Sequence, residues 1–562
     1  MRADDGLGGG VGGGLLRFGA FLATAGILAL GLLARGDGAD RRWLLALAAS
    51  APFLALLLWP RLPRDLPTFN RTVVRLGTLL VVAFLLTSIH LVRLQIVRAD
   101  ALAHQSGTAA NGDVVANPRL FDERLREQRG EIIDRNGKVI AGTSLTPRGY
   151  TVREYPSPSS YIAGYYSPQL YGLSGIEQAE DAYLSGTEGE NPFVILQRQL
   201  LHRPTVGNNV QLTLDLRLQE VADQALAGRA GAVVALDPRT GAVLALASAP
   251  HVDPQQLALD PRKDFNQEVA RANAYWAAIT GPQGGNPLLL RPTQGLYVPG
   301  SIFKTLTAAA ALDAGTTSPD RVYPDPGDIV IDGHRIVEEN RPQPVRDQYT
   351  LTEGYKWSLN IVFAQVGLGL GTVQMEQYTK AFGFGQPIPF ELPTAASRVS
   401  TDPNFLASKP ALADTGFGQG QLEVTPLEMA LITATMVDDG KMPRPYVVGA
   451  IRAPDGHVLQ QTKPKTWLTP IRPETAAQVR QLMITSVEQG YANAGHIDGL
   501  VIGGKTGTAE TNGDPHSWYI CFAGKPNQPP ELVVAVIVEH GGPGSRVALP
   551  IANQVVKAYF GQ

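Results

Sequence analysis

The 562-residue sequence has one cysteine, Cys521. A lone thiol closes no intrachain disulfide and builds no Cys-based zinc or iron–sulfur site. The nine histidines contain no His-Glu-x-x-His pattern, so neither a metal nor another cofactor is expected. Charge is scarce as well. Asp, Glu, Lys and Arg make up 18% of the chain against ~25% in ordinary globular proteins, and the formal net charge is −3. The basic footprint that polyanions select is missing, which argues against nucleic acid as a partner. Beyond residue 100 there is no charge-free apolar run of membrane length, no repeat period and no long low-complexity tract. What the chain has in quantity is punctuation. Its 60 glycines and 42 prolines break the body into many short elements.

The missing charge has a location. Phe18–Ala34, Trp43–Trp59 and Leu76–Val92 contain no Asp, Glu, Lys or Arg, although the third holds His90. Seventeen residues at 1.5 Å each sit at the lower limit for crossing ~30 Å of hydrocarbon. Three such stretches within a hundred residues, separated by arginine-bearing loops, predict three spans in a membrane anchor over residues 1–100. A cleavable signal peptide fits poorly, because Asp4 and Asp5 stand beside Arg2 and a Gly-rich stretch, Gly6–Gly14, follows as a flexible tail. Six arginines on one side against five on the other are compatible with a cytoplasmic N-terminus and do not establish it.

The body divides into a mixed domain over 101–225 and a larger one over 226–562. Asn136-Gly137 between apolar residues predicts a hairpin. Val210–Asp215 alternates as a half-buried strand, and Leu216–Ala227 has helical spacing. Gly231–Leu236 and Ala242–Ala247 flank an Asp-Pro-Arg-Thr-Gly turn, a second hairpin. About 255–500 reads as helix and loop, with 252–295 a Pro/Gln/Asn-rich loop flanking a cleft. Lys505–Glu510, Trp518–Gly524 and Glu531–His540 read as strands, and Leu549–Phe560 as a closing helix. Strands early and late with helices between predict an α+β fold. Its core is one antiparallel sheet flanked by helices and assembled across a long insertion.

Three short motifs carry the chemistry. In Val298-Pro-Gly-Ser301-Ile-Phe-Lys304, Ser301 opens a helix and Lys304 lies three residues on, on the same face. A serine is a weak nucleophile until a base takes its proton, and a desolvated lysine can be that base. Alone the pattern is commonplace, since a serine N-cap followed by a solvated lysine satisfies it. Ser358-Leu-Asn360 follows, then Lys505-Thr506-Gly507-Thr508 at the start of a predicted strand. Ser-x-x-Lys, Ser-x-Asn and Lys-Thr-Gly in this order match the serine penicilloyl-enzyme signature. Each opens a separate element, so three distant segments can converge on one cleft. Ser358 can shuttle a proton to a leaving amine, and Asn360 can hold a substrate amide. Lys505, Thr506 and Thr508 can bind a carboxylate, while Gly507 admits close backbone approach.

With these motifs the chain resembles the class B, monofunctional penicillin-binding proteins. The resemblance extends to Arg129–Gly137 and Gly175-Ile-Glu177 with Tyr183–Gly186, as in the family's pedestal. It extends also to the hairpin 231–249, the stretch Gly416–Ala430, and His516–Gly524. The resemblance implies a penicillin-binding transpeptidase fold with a five-stranded antiparallel sheet. It implies a D,D-transpeptidase that cross-links peptidoglycan stem peptides outside the bacterial cytoplasmic membrane. Ser301 would attack between two terminal D-alanines, Lys304 would be the base, and the backbone N–H groups of Ser301 and Thr508 would form the oxyanion hole. β-Lactams would be ligands, and a polytopic SEDS-type glycan polymerase in the lipid bilayer would be a partner. The family's usual anchor is one helix, matched by Leu76–Val92, so the two preceding spans are additional.

Other readings are a D,D-carboxypeptidase, which shares the three motifs, and a non-catalytic wall-assembly scaffold or β-lactam sensor. A glycosyltransferase-bearing relative is excluded by the missing Glu-Asp-x-x-Phe pattern, and a class A β-lactamase by the missing Glu-x-x-Leu-Asn run. Cys521 reads as a buried small hydrophobe. Asp514 and Glu510 read as loop and strand-end charges. His516 fits a place on the cleft rim or a structural one.

Overall fold

The computed structural model describes residues 11–33, 38–63, 65–98, 107–108, 114–115, 126–189 and 206–562. The chain forms two compact units, 1–123 and 124–562.

In the first unit, α1 (Val11–Leu32), α2 (Ala39–Leu58) and α3 (Thr68–Val92) are long and apolar enough to cross a membrane. A helix lies at each of the three expected spans, with shifted ends. α1 begins inside the glycine stretch expected to be a tail, because a lipid-facing backbone gains more from intrahelical hydrogen bonds than glycine costs. Residues 6–10 of that stretch and Ala34 lie outside the described residues. α3 begins eight residues early and takes in Arg71 and Arg75; a charge-free criterion finds only the apolar part of a helix whose first turns carry arginine. The start of α2 is tied to the end of α3. Trp43 Nε1 donates to His90 Nδ1 (3.0 Å), and Arg93 pairs with Asp40 (2.9 Å) and lies over the Trp43 ring.

In the second unit, β1 (Ile132–Ile133) and β2 (Val139–Leu145) form the hairpin expected at Asn136-Gly137. β3 (Thr151–Glu154), β4 (Asn209–Leu212) and α4 (Leu216–Leu226) follow, then the hairpin β5 (Gly231–Leu236) and β6 (Val243–Ala249). The expected loop over 252–295 contains α5 (Phe265–Thr280), capped by Asp264. Only Glu268 and Ala272 of this helix are buried, yet Phe265, Val269, Ala272, Trp276 and Ile279 recur at helical spacing, a period that the Pro/Gln/Asn-rich flanks obscure. Next come α6 (Lys304–Asp313), the hairpin β7 (Asp328–Ile331) and β8 (His334–Val337), α7 (Asn360–Leu370), α8 (Lys409–Phe417) and α9 (Pro426–Val437). β9 (Val448–Arg452), β10 (Val458–Gln461) and α10 (Pro473–Gln489) lead to β11 (Val501–Ala509), β12 (His516–Gly524), β13 (Leu532–Val538) and α11 (Ala548–Phe560). The middle of the chain thus holds short strand pairs as well as helices and loops. Such strands are too brief for a two-residue period to stand out.

The main sheet has the order β6-β5-β13-β12-β11, antiparallel throughout. Both faces are covered. Val234, Ile520, Phe522 and Ala535 face the core shared with α6, α7 and α9, while Val233, Val534, Val536 and Cys521 face α4 and α11. Burial on both faces explains why β13 is apolar throughout rather than alternating. Burial also pushes the Cys521 thiol up to about 12, which makes it a packing residue.

A second sheet has the order β10-β9-β4-β1-β2-β3. β4 therefore pairs with β9, more than 230 residues away. Beside it lies a buried charge network joining two of the motifs noted above. Glu177 accepts from Arg129 Nε (2.7 Å), Arg153 Nε (2.6 Å) and Tyr155 Oη (3.1 Å), and Arg129 Nη2 also donates to the Glu177 carbonyl. Burial alone would raise the Glu177 proton affinity, but Arg153 and Arg129 outweigh it and hold the carboxyl below its usual range. Its contribution is therefore present above the ordinary carboxylate pKa of ~4.3 and is lost as pH falls. Glu177→Gln leaves the Arg153 guanidinium buried without its counter-charge, while Arg129 keeps Asp181 (2.6 Å). It is expected to cost about 3–5 kcal/mol in urea unfolding, against little change for a substitution of exposed Glu188.

Candidate active site

The site forms where one buried helix, one strained turn and the edge strand of the main sheet meet. Tyr297-Val298 leads into Pro299-Gly300, a 3₁₀ turn over Gly300–Phe303, and then α6. Every residue of α6 from Lys304 to Leu312 is buried. An apolar helix with no solvent face belongs in a domain centre, and this places Lys304 in the dry interior. Gly300 has φ +57°, and a Cβ there would lie 2.8 Å from the Thr508 carbonyl oxygen. The Pro-Gly turn therefore lets the serine segment lie flush against β11.

Ser301 Oγ lies 3.0 Å from Lys304 Nζ. Lys304, fully buried, also donates to the Ser358 carbonyl (2.7 Å) and Asn360 Oδ1 (2.8 Å), with Ser358 Oγ at 3.3 Å. Lys505, also fully buried, donates to Ser358 Oγ (2.8 Å) and the Thr506 carbonyl (3.0 Å). The three motifs thus converge on the hydroxyl of Ser358. Ser358 has φ +63°, a left-handed conformation uncommon for a residue with a side chain and a marker of functional strain. Leu359 is then extended and Asn360 opens α7. β11 pairs in unbroken register with β12 from Val501↔Gly524 to Ala509↔His516 and is the last strand of its sheet. A Cβ on Gly507 would meet Ile302, the Pro299 carbonyl and Trp518 at 3.0 Å. Thr506 is buried, while Thr508 is exposed with Oγ1 accepting from Gly544 N (3.4 Å).

Two ammonium groups buried beside one hydroxyl cannot both stay charged without counter-ions. Burial lowers Lys304 to about 7, with Glu338 pulling the other way. Burial, and then the charge on Lys304, lower Lys505 well below the lysine range. Neutral Lys304 has two N–H donors, which suit the Ser358 carbonyl and Asn360 Oδ1. Its lone pair is then left for the Ser301 proton.

The motif residues form one hydrogen-bonded chain, Ser301–Lys304–Ser358–Lys505, with Asn360 joined at Lys304. His516, the first residue of β12, packs edge-on to Tyr297 (5.6 Å) and accepts from His540 N. Burial, then His540, lower its proton affinity. It braces the segment upstream of Ser301. Support unread in the sequence comes from the stretch 416–430. Gly418 has φ +95° and its Cβ would strike the Gly300 carbonyl at 1.9 Å, and Val424 exchanges both backbone hydrogen bonds with Tyr297. Trp518 Nε1 donates to the Val298 carbonyl (3.0 Å). Among the described residues no group of His, Cys, Asp and Glu is arranged to hold a metal ion.

The family described as penicillin binding protein transpeptidase domain matches residues 231–557, and the penicillin binding protein A dimerisation domain matches 129–210. The chain is 34% identical over 473 residues to the peptidoglycan D,D-transpeptidase PbpA of Mycolicibacterium smegmatis, covering 80% of this chain and 93% of that one. It is 28% identical over 429 residues to the peptidoglycan D,D-transpeptidase MrdA of Acinetobacter baumannii, covering 69% and 60%. Among solved structures, penicillin-binding protein A from M. tuberculosis as a ceftriaxone acyl-enzyme complex superposes with TM-score 0.70 at 33% identity. That match covers 78% of this chain and 99% of that one. The D,D-transpeptidase domain from Eggerthella lenta gives TM-score 0.66 at 32% identity, covering 78% and 99%. A serine–lysine pair, a strained Ser-x-Asn turn and an edge-strand Lys-Thr-Gly, set in this fold, accord with those matches: the chain belongs to the class B penicillin-binding transpeptidases.

Proposed function

We propose that the chain cross-links peptidoglycan stem peptides by a serine acyl-enzyme route, with the buried Lys304 amine as the base. The observation that carries this reading is the 3.0 Å approach of that amine to Ser301 Oγ inside a dry pocket. Ser301 Oγ attacks the carbonyl of the D-Ala–D-Ala bond and its proton passes to Lys304. Backbone N–H groups of Ser301 and Thr508 hold the oxyanion. The Ser358 hydroxyl, between the two lysines, relays the proton from Lys304 to the departing D-alanine amine. An acceptor amine from a second stem peptide then attacks the acyl-enzyme. Its proton returns along the same path, and Ser301 is restored. Asn360 orients Lys304 and a substrate amide. Lys505, Thr506 and Thr508 receive the terminal carboxylate, with Gly507 keeping the strand close. β-Lactams acylate the same serine, as the ceftriaxone complex of the M. tuberculosis relative supports.

The three apolar helices anchor the chain in a membrane. We read residues 1–100 as the anchor, 101–225 as a non-catalytic pedestal and 226–562 as the transpeptidase domain. The membrane is the bacterial cytoplasmic one, with the catalytic domain on its outer side. A polytopic SEDS-type polymerase supplies nascent strands.

Ser301→Ala is expected to abolish covalent labelling by a fluorescent penicillin while the thermal melt is unchanged. Labelling that survives would show another nucleophile. With Lys304 near 7, the acylation rate of the wild type should fall about tenfold per pH unit below that point. A stopped-flow profile flat from pH 8 to 5 would remove Lys304 as base. Donor and acceptor stem peptides should give a cross-linked dimer. Free D-alanine without dimer would make the enzyme a carboxypeptidase.

A further inference from the structure

Among the buried carboxylates that the catalytic steps leave unused, Glu338 stands nearest the chemistry, acting on Lys304 and on the helix that Asn360 opens. Glu338 follows β8 at the base of the β7–β8 hairpin, where its N–H closes on the Gly327 carbonyl (2.8 Å). Its side chain is buried. Oε2 accepts from the backbone N–H of Ile361 (3.0 Å) and Oε1 from that of Asn340 (3.3 Å). Ile361 is the second residue of α7, directly after Asn360. The N-cap of this helix is Leu359, which has no capping side chain, so its first amide donors need an acceptor from elsewhere. Glu338 supplies it from a hairpin more than twenty residues upstream. It thereby fixes the end of α7 that presents Asn360 to Lys304.

The charges around it make the placement consequential. Lys304 on α6 and Lys505 on β11 are both buried, and Glu338 is the acidic group acting on Lys304. On the Glu338 side, burial raises its proton affinity, Lys304 and the two amides lower it, and Asp325, on the loop before the hairpin, raises it.

We propose that Glu338 is a positioning residue for the acylation step: it caps the Asn360 helix from outside and sets how readily Lys304 takes and releases its proton. This rests on the reading of Lys304 as the base. A negative charge near Lys304 favours the protonated amine, so it moves the onset of reactivity to higher pH. The enzyme keeps in return a lysine that can hold the serine proton until Ser358 passes it on.

The test is the pH dependence of acylation by a fluorescent penicillin, measured on the full chain in detergent. Glu338→Gln retains an acceptor for Ile361 N–H and removes the charge. The midpoint of its acid limb is expected to fall by about 1 pH unit. Relative to its own plateau, the variant then acylates several-fold faster than wild type one unit below the wild-type midpoint. Glu338→Asp keeps the charge but shortens the reach, so the midpoint should stay while the plateau drops. A role confined to stability would change plateau or melting temperature and leave both midpoints alone. A Gln midpoint equal to wild type overturns the charge role, and an unchanged Asp plateau overturns the positioning role. Should the Gln variant fail to fold, Glu338→Ser serves as the neutral variant, its hydroxyl and an admitted water meeting the amide without restoring charge. A wild-type profile lacking any acid limb would instead strike at Lys304 as base, and the proposal would fall with it.

Discussion

Two lysines buried beside one serine hydroxyl are the constraint on which the rest of the structure depends. Lys304 and Lys505 both reach Ser358 Oγ, at 3.3 and 2.8 Å, and neither is exposed to water. An ammonium in such a place is costly unless it is paired. Here hydroxyls, carbonyls and one amide surround the pair, with a single carboxylate acting from the base of a hairpin. The low-cost state is a neutral amine, and a neutral amine is a base. The same burial that makes the lysine chemically useful makes it destabilising, so the surrounding fold must hold it in place.

That holding comes from elements far apart in the chain. α6 is enclosed on all sides and fixes Lys304. The left-handed Ser358 aims its hydroxyl at both lysines, and β11 carries Lys505 along one open edge of the main sheet. Gly300, Gly418 and Gly507 remove the side chains that would keep these segments apart. Val424 and Trp518 tie down the strand entering the serine turn. Each contributes only by bringing a backbone close. A glycine-rich composition and a preorganised site are thus two views of one requirement.

What could be read in advance follows the range of the interactions involved. The central strands were legible because both faces are buried and turn residues bound them. The three motifs were legible because each is local, a few residues at the start of an element. The pairing of Asn209–Leu212 with Val448–Arg452 was not, since register between strands so distant leaves no local pattern. The helix 265–280 was not, since Pro/Gln/Asn-rich flanks hide the period it carries in Phe265, Val269, Ala272, Trp276 and Ile279. Glu338 was not, because Val-Glu-Glu-Asn after a hairpin is ordinary loop chemistry, and its meaning appears only when Ile361 is beside it. Arg129 and Glu177 were visible as family motifs. Their reason, a buried ion pair at 2.7 Å, was visible only in three dimensions.

Catalysis by this site depends on the protonation state of one amine. The most direct test is the titration of Lys304 Nζ by NMR of the intact protein with lysine labelled at Cε, the resonance assigned by its loss in Lys304→Arg. The expected midpoint is near 7, far below the ~10.4 of a free lysine. A Lys304 resonance that stays in its protonated position past pH 9 would contradict it.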